Sequence, residues 1–157
     1  MATNEVQTSA GTIVSVSAGI PATFDAAGFA ALTYTQVGKV DNAGNLGASI
    51  APVTFTPIDT AVEDSFHGVK SLGDTTVTAA LVGGDAGQII VNTAYTNKTV
   101  VSFKYELFDG DVIYFIAIVL SSPINVGGPD QVVMTEFNLR RKPMGATGID
   151  RVYVEAA

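Results

Sequence analysis

Cysteine is absent from the chain, which excludes a disulfide scaffold, a thiolate metal site and a cysteine nucleophile. Charge is scarce: 15% of the 157 residues are Asp, Glu, Lys or Arg, where a soluble monomer carries about a quarter. Cations are scarcer still, eight against fifteen acids for a net charge of −7, and such a surface repels nucleic acid instead of displacing its counterions. Long apolar runs are also missing. The longest, residues 112–120, falls well short of the roughly 20 residues of a membrane-spanning helix. The first residues, MATNEVQTSAGT, carry an acid, no basic n-region and no apolar h-region; no secretory leader is expected, and the chain is expected to be made and assembled in a cytoplasm.

What is present is hydrophobic surface, 47% of residues, and subunit burial is the natural remedy for so much of it in so lightly charged a chain. Residues 100–120, VVSFKYELFDGDVIYFIAIVL, read as a β-hairpin. In the first arm Val101, Phe103, Tyr105 and Leu107 alternate with Ser102, Lys104 and Glu106, the period-2 pattern of a half-buried strand with one core face and one wet face. Asp109-Gly110 supplies a two-residue turn. The second arm is apolar on both faces, Val112, Tyr114, Ile116, Ile118 and Leu120 against Ile113, Phe115, Ala117 and Val119. That strand needs covering twice.

Further strands are predicted over 12–18, 32–38, 53–59 (an edge or bulge because of Pro57), 74–82 and 131–141, with 151–154 as a last edge strand or an arm. Thr23 or Asp25 is placed to cap a short helical turn over 26–32. The clearest helix starts after Gly83-Gly84-Asp85, with Asp85 as cap, Gln88 reaching back to it, and Ala86, Ile89, Ile90, Thr93 and Ala94 forming the packed stripe. Residues 39–52, rich in Asn and Gly, read as a long loop or flexible hairpin tip. The sum is a mainly β fold, an antiparallel sandwich or partial barrel with one packed α-helix and a long loop. Residues 1–157 form a single domain, 1–10 an N-terminal arm and 143–157 a C-terminal arm.

Motifs for chemistry are lacking. His67 is the only histidine, and G-x-S-x-G, the P-loop and G-x-G-x-x-G are all absent. Adjacent Glu63 and Asp64 would point to opposite faces of a strand, and turn chemistry accounts for Asp109 and Asp111. DNAGNLG at 41–47 lacks the ligands of a calcium loop. No catalytic residue, cofactor or metal is expected, and a self-associating structural protein is the stronger reading over an enzyme. The one basic cluster, Arg140, Arg141 and Lys142, reads as a solvated strand end.

The order of parts carries a resemblance: a Gly/Asn-rich loop, then HGVKSLGDTTVTAALVGGDAGQII at 67–90, a strand, the Asp-Gly turn, another strand, a Pro/Gly loop and a final strand ending in basic residues. It resembles the tail tube (major tail) protein of bacteriophages with long, non-contractile, lambda-like tails, over about residues 12–141. The resemblance implies a structural virion protein that closes, six copies to a ring, and stacks into a hollow tube around a tape-measure protein. It also implies tail terminator and tail tip proteins as partners, no membrane, and assembly in the bacterial host cytoplasm. DNA would pass through the lumen without tight binding, repelled by about −42 charges per ring of six. Glu136, with Asp59, Glu63 and Glu106, are the lumen-facing candidates. Asn42, Gly44, Asn45, Leu46 and Gly47 are candidates to reach a neighbouring subunit or ring, and Arg140, Arg141 and Lys142 to meet acids of the next ring. Alternatives keep the fold: the inner tube of a contractile tail or of a type VI secretion system, or a capsid decoration or baseplate hub protein.

Overall fold

A computed structural model describes residues 6–156. The chain opens with β1 (Ile13–Ser17), α1 (Ala26–Ala30), β2 (Thr35–Gln36) and β3 (Val40–Asn42). Next come β4 (Ser49–Phe55), β5 (Asp64–Ser71), β6 (Asp74–Ala80) and α2 (Ala86–Asn97). It closes with β7 (Val100–Glu106), β8 (Val112–Ser121), β9 (Ile124–Asn125), β10 (Met134–Arg141) and β11 (Val152–Val154).

Nine strands form one antiparallel sheet along the path β2-β1-β7-β8-β10-β6-β3, with β11 added to β8 and β9 to β10. Among the described residues, β4 and β5 pair only with each other. The large sheet curls without closing into a barrel. Three strands separate β7 from β3 along the path, yet Tyr105 of β7 donates its hydroxyl to the Ala43 carbonyl just past β3, at 2.8 Å. Inside the curl lies the main core, built from Val14, Val16, Val77, Phe103, Phe115, Phe137 and Leu139, with Val91 and Ala94 of α2 packed onto it. Phe103 and Phe115 stack at 5.3 Å, and Tyr105 meets Phe115 edge-on.

β8 is covered on both faces over most of its length. Phe115, Ala117 and Val119 enter the main core, while Tyr114 and Ile116 join a second cluster with Phe29 of α1 and Met144. Phe24, Leu32, Tyr34, Val152 and Val154 pack around that cluster, and the Phe29 and Tyr114 rings stack at 5.1 Å. The cover over 112–116 therefore comes from this chain: the short helix α1 and the segment read as a C-terminal arm, whose β11 pairs with residues 112–114. For the same reason the second face of β7 is not simply wet. Ser102 is fully buried and donates to the Gly19 carbonyl, and Lys104 reaches over the Tyr34 ring. Only the far end of β8 stays bare, with Leu120 45% exposed.

Several expected details differ. Leu107 N–H donates to the Asp111 carbonyl, so the β7–β8 connection is a three-residue loop, with Gly110 alone at positive φ (98°), and not a two-residue Asp-Gly turn. Asp85 does cap α2, accepting from Gln88 N–H. The Gln88 side chain does not reach back to it, because its amide, buried at the helix–sheet contact, is used by the Val82 N–H and by the Gly38 and Ala80 carbonyls. The buried stripe of α2 is accordingly Gly87, Gln88, Val91 and Ala94, and Ile89 is left half exposed. The strand expected over 32–38 shrinks to β2, and Leu81 lies beyond β6 on the surface.

Because Phe29 of α1 and Met144 pack with Ile116 on the outer face of β8 in the single chain, Ile116→Ala is expected to cost about 2–5 kcal/mol in denaturant unfolding, the range for a closed core site. A loss well under 1 kcal/mol would mean that face is open in the isolated subunit.

Candidate assembly surface

No helix among the described residues is long and apolar enough to cross a membrane, and no group of three or more His, Asp or Glu residues among them is arranged to hold a metal ion. What stands out is the β4–β5 hairpin. Every residue of β4 is exposed, as is all of β5 except Gly68. Pairing of Val53 with Phe66 and of Phe55 with Asp64 puts Val53, Phe55 and Phe66 on one face, more than half exposed, while Thr54 and Ser65 take the other. Pro52 is accommodated at a register irregularity in this two-stranded sheet. At the tip Ile58 is fully exposed and Val62 66% exposed. A lone two-stranded hairpin is marginal in water, and an apolar patch of this kind marks an interaction surface.

The hairpin grows from a rigid root, and that root is the segment expected to be a free loop. Residues 39–52 are not one long loop: β3 and the start of β4 occupy its ends. Asn42 turns the chain by accepting from Gly44 N–H at 2.8 Å. Gly44 has φ +78°, and a side chain there would press on the Thr76 carbonyl. Asn45 offers its carbonyl to the Thr75 hydroxyl, Leu46 packs half-buried against the main core, and its carbonyl accepts from Arg151. Gly47 accepts from Arg141. These five residues are tied to their own domain, so the outward reach expected of them belongs to the hairpin that follows.

Arg141 is the centre of that root. It is 98% buried, and its Nη2 donates both to Gly47 and to Leu72, the residues flanking the two ends of the hairpin. Burial pulls its pKa down, partly offset by Asp150, whose carboxylate stands 3.7 Å from Nη1. A solvated basic end of three residues, free to meet a second ring, is therefore not what the fold presents. Arg140 points the other way and is bound bidentately to Asp74, at 2.7 and 3.0 Å. Lys142 remains an exposed cation.

The four acids singled out are not brought together. Glu136 stands exposed on β10, on the sheet face opposite Phe137 and Leu139. Glu106 shares that face at the end of β7 but pairs with Lys104 at 3.6 Å. Asp59 and Glu63 lie on no strand; they belong to the hairpin tip between β4 and β5. His67 is an exposed member of β5.

The C-terminal segment is latched as well. The Tyr153 hydroxyl and the Ala156 N–H both donate to the Asp111 carboxylate, which holds its pKa below the ordinary carboxylate range and pushes the Tyr153 phenol up to about 12. At the other side of the same loop Gln7 donates to Asp109, while the first five positions of the expected N-terminal arm lie outside the described residues.

No protein-family model matches the chain, and no curated protein matches it by sequence. Solved structures do match. A subunit in the structure of the SPP1 tail tube superposes with TM-score 0.61 at 16% identity, over 92% of this chain and 77% of that one. One in the six-fold symmetrised baseplate of the anti-feeding prophage gives 0.63 at 8% identity, over 92% and 96%. A third, in the phage p2 baseplate, gives 0.50 at 11% identity and covers 85% of this chain but 45% of its own. The chain has the fold of these tail-tube and baseplate subunits.

Two outcomes follow from the root and the latch. Arg141→Leu strands the Gly47 and Leu72 carbonyls and is expected to cost about 2 kcal/mol or more, with hydrogen exchange accelerated at the hairpin root; Arg140→Leu, whose pair is exposed, should change little. The Asp111 contribution is present above the unfolded carboxyl pKa of about 4 and is lost as pH falls through the lower folded value. The gap in melting temperature between the parent and Asp111→Asn should therefore narrow on acidification; a constant gap would contradict it.

Proposed function

We propose that this chain is a structural subunit of a phage tail, which assembles by self-association into rings stacked as a hollow tube. The observation that carries this reading is the β4–β5 hairpin, an arm with an apolar face, an apolar tip and no packing on its own domain. Likeness to the SPP1 tail tube supports the tube, and the role is structural instead of catalytic. We place six copies in a ring, in a long non-contractile tail of the lambda-like kind, with DNA passing through the lumen during ejection. A tape-measure protein inside and terminator and tip proteins at the ends complete the assembly, which forms in the host cytoplasm. The exposed sheet face bearing Glu136 is the one we turn towards the lumen, where a negative wall would let DNA slide. Glu106 is partly neutralised by Lys104, and Asp59 and Glu63 travel with the hairpin tip, so Glu136 bears most of that assignment. Lys142 is the cation left for contact between rings.

A second reading, a baseplate or hub ring, draws on the likeness to the anti-feeding prophage baseplate. The two differ in closure: a hub ring stops at one or two layers, whereas a tube subunit polymerises without limit.

Concentrated purified protein viewed by electron microscopy should show tubes of uniform diameter, and Val53→Thr with Phe55→Ser and Phe66→Thr should leave folded monomers. Single closed rings would favour the hub, and a parent that stays monomeric at high concentration would refute both. In phage carrying Glu136→Lys, tails should form normally but DNA ejection should slow severalfold; unchanged ejection would remove the lumen assignment.

A further inference from the structure

The far end of β8 leaves a cleft that its own chain does not fill. The last pair with β7 is Val100 with Ile118, so residues 119–121 run beyond it. Tyr95, Thr96, Lys98 and Thr99 at the end of α2 stand opposite Ile118 and Leu120 across a cavity of about 530 Å³. Tyr95 and Leu120 are each nearly half exposed. This is the one stretch of the doubly apolar strand that α1 and β11 do not reach, and at the helix end Lys98 turns the chain in the left-handed conformation, φ 56°. Lys98 is also the only charged residue between positions 86 and 99.

We propose that the occupant of this cleft is the β4–β5 hairpin of a second copy of the chain, tip first, an inference that rests on the self-assembly reading above. Three features match. The cleft is concave and apolar, and the hairpin is a projecting arm whose tip carries Ile58 and Val62 with Val53, Phe55 and Phe66 behind them. Charge is complementary at the tip: residues 56–66 hold Asp59, Glu63 and Asp64 and no base, Lys70 lying near the root of the arm, while the cleft holds Lys98 and no acid. Reach is sufficient, since seven or eight residues of strand project about 25 Å. Insertion would cover the bare end of β8 and the bare arm in one contact, and because arm and cleft are different surfaces of the same chain, the contact is head-to-tail. Head-to-tail contacts generate rings or open helical stacks instead of closed pairs.

Absence of cysteine gives a clean test in the full chain. Ile58→Cys combined with Thr96→Cys, assembled and then oxidised with copper phenanthroline, should give a ladder of disulfide-linked multimers. Ile58→Cys with Thr33→Cys, on the α1 side of the sheet, should give none. Tubes or rings without the first ladder, a ladder with Thr33 instead, or an intrachain disulfide in the monomer would each overturn the docking while leaving self-assembly standing. A parent chain that forms no assembly would overturn the reading beneath it. Leu120→Asp provides an independent readout, since it should raise the protein concentration needed for assembly at least tenfold; an unchanged threshold would count against the cleft.

Discussion

A buried guanidinium with two carbonyls to satisfy organises this molecule's working end. Arg141 is the last residue of the central strand β10, and its Nη2 ties Gly47 and Leu72, so the hairpin between them leaves the domain at a fixed place. A charge taken out of water demands such partners, because an unmet donor or a lone charge in the interior is costly. The same demand draws in Asp150, and with it the C-terminal segment that returns as β11 to pair with β8. Arm, root and outer cover of the sheet thus share one polar contact, surrounded by apolar packing.

The arm itself inverts the usual rule. In β6 and β10 Val77, Phe137 and Leu139 face the core and the outer sheet face carries Thr76, Thr78, Glu136 and Asn138. In β4 and β5 the exposed face is Val53, Phe55 and Phe66, and the pair has no third strand or helix to lean on. Burying a Val or Phe side chain is worth about 1.5–3 kcal/mol relative to leaving it in water, so the isolated subunit forgoes a gain that a neighbouring copy would supply. Low charge and an abundance of apolar residues fit the proposed assembly, in which the final surface of a chain is smaller than its monomer surface.

Much of this was legible from the residues. The two-faced apolar strand at 112–120 points to a double cover, and the Asp85 cap and strands within 74–82, 100–107 and 131–141 are found, with their ends trimmed. What was not legible depends on partners distant in sequence. Asn42 to Gly47 looked free because nothing local restrains them; their donors are Thr75, Arg141 and Arg151. The stripe expected for α2 is out of phase with the buried one because counting apolar residues gives no weight to Gly87 and Gln88, which the helix buries for closeness and for hydrogen bonds. Arg141 looked like its neighbours Arg140 and Lys142, and only the pleat of β10, which sends alternate side chains to opposite faces, separates them. The partner strand β5 is not legible for a related reason: its apolar residues have no core to face within the chain, and Pro57, which marks 53–59 as an edge or bulge, does not by itself show a tip.

Self-assembly as proposed leaves the hairpin bare in the subunit and buries it in the assembly. Hydrogen exchange of amides in residues 49–71, followed by mass spectrometry in dilute monomer and in assembled protein, tests it directly. Exchange should be rapid in the monomer and strongly protected on assembly, while the amides of β7 and β8 stay protected in both. Equal exchange of the hairpin in the two states, with assembly confirmed in the same sample, would contradict it.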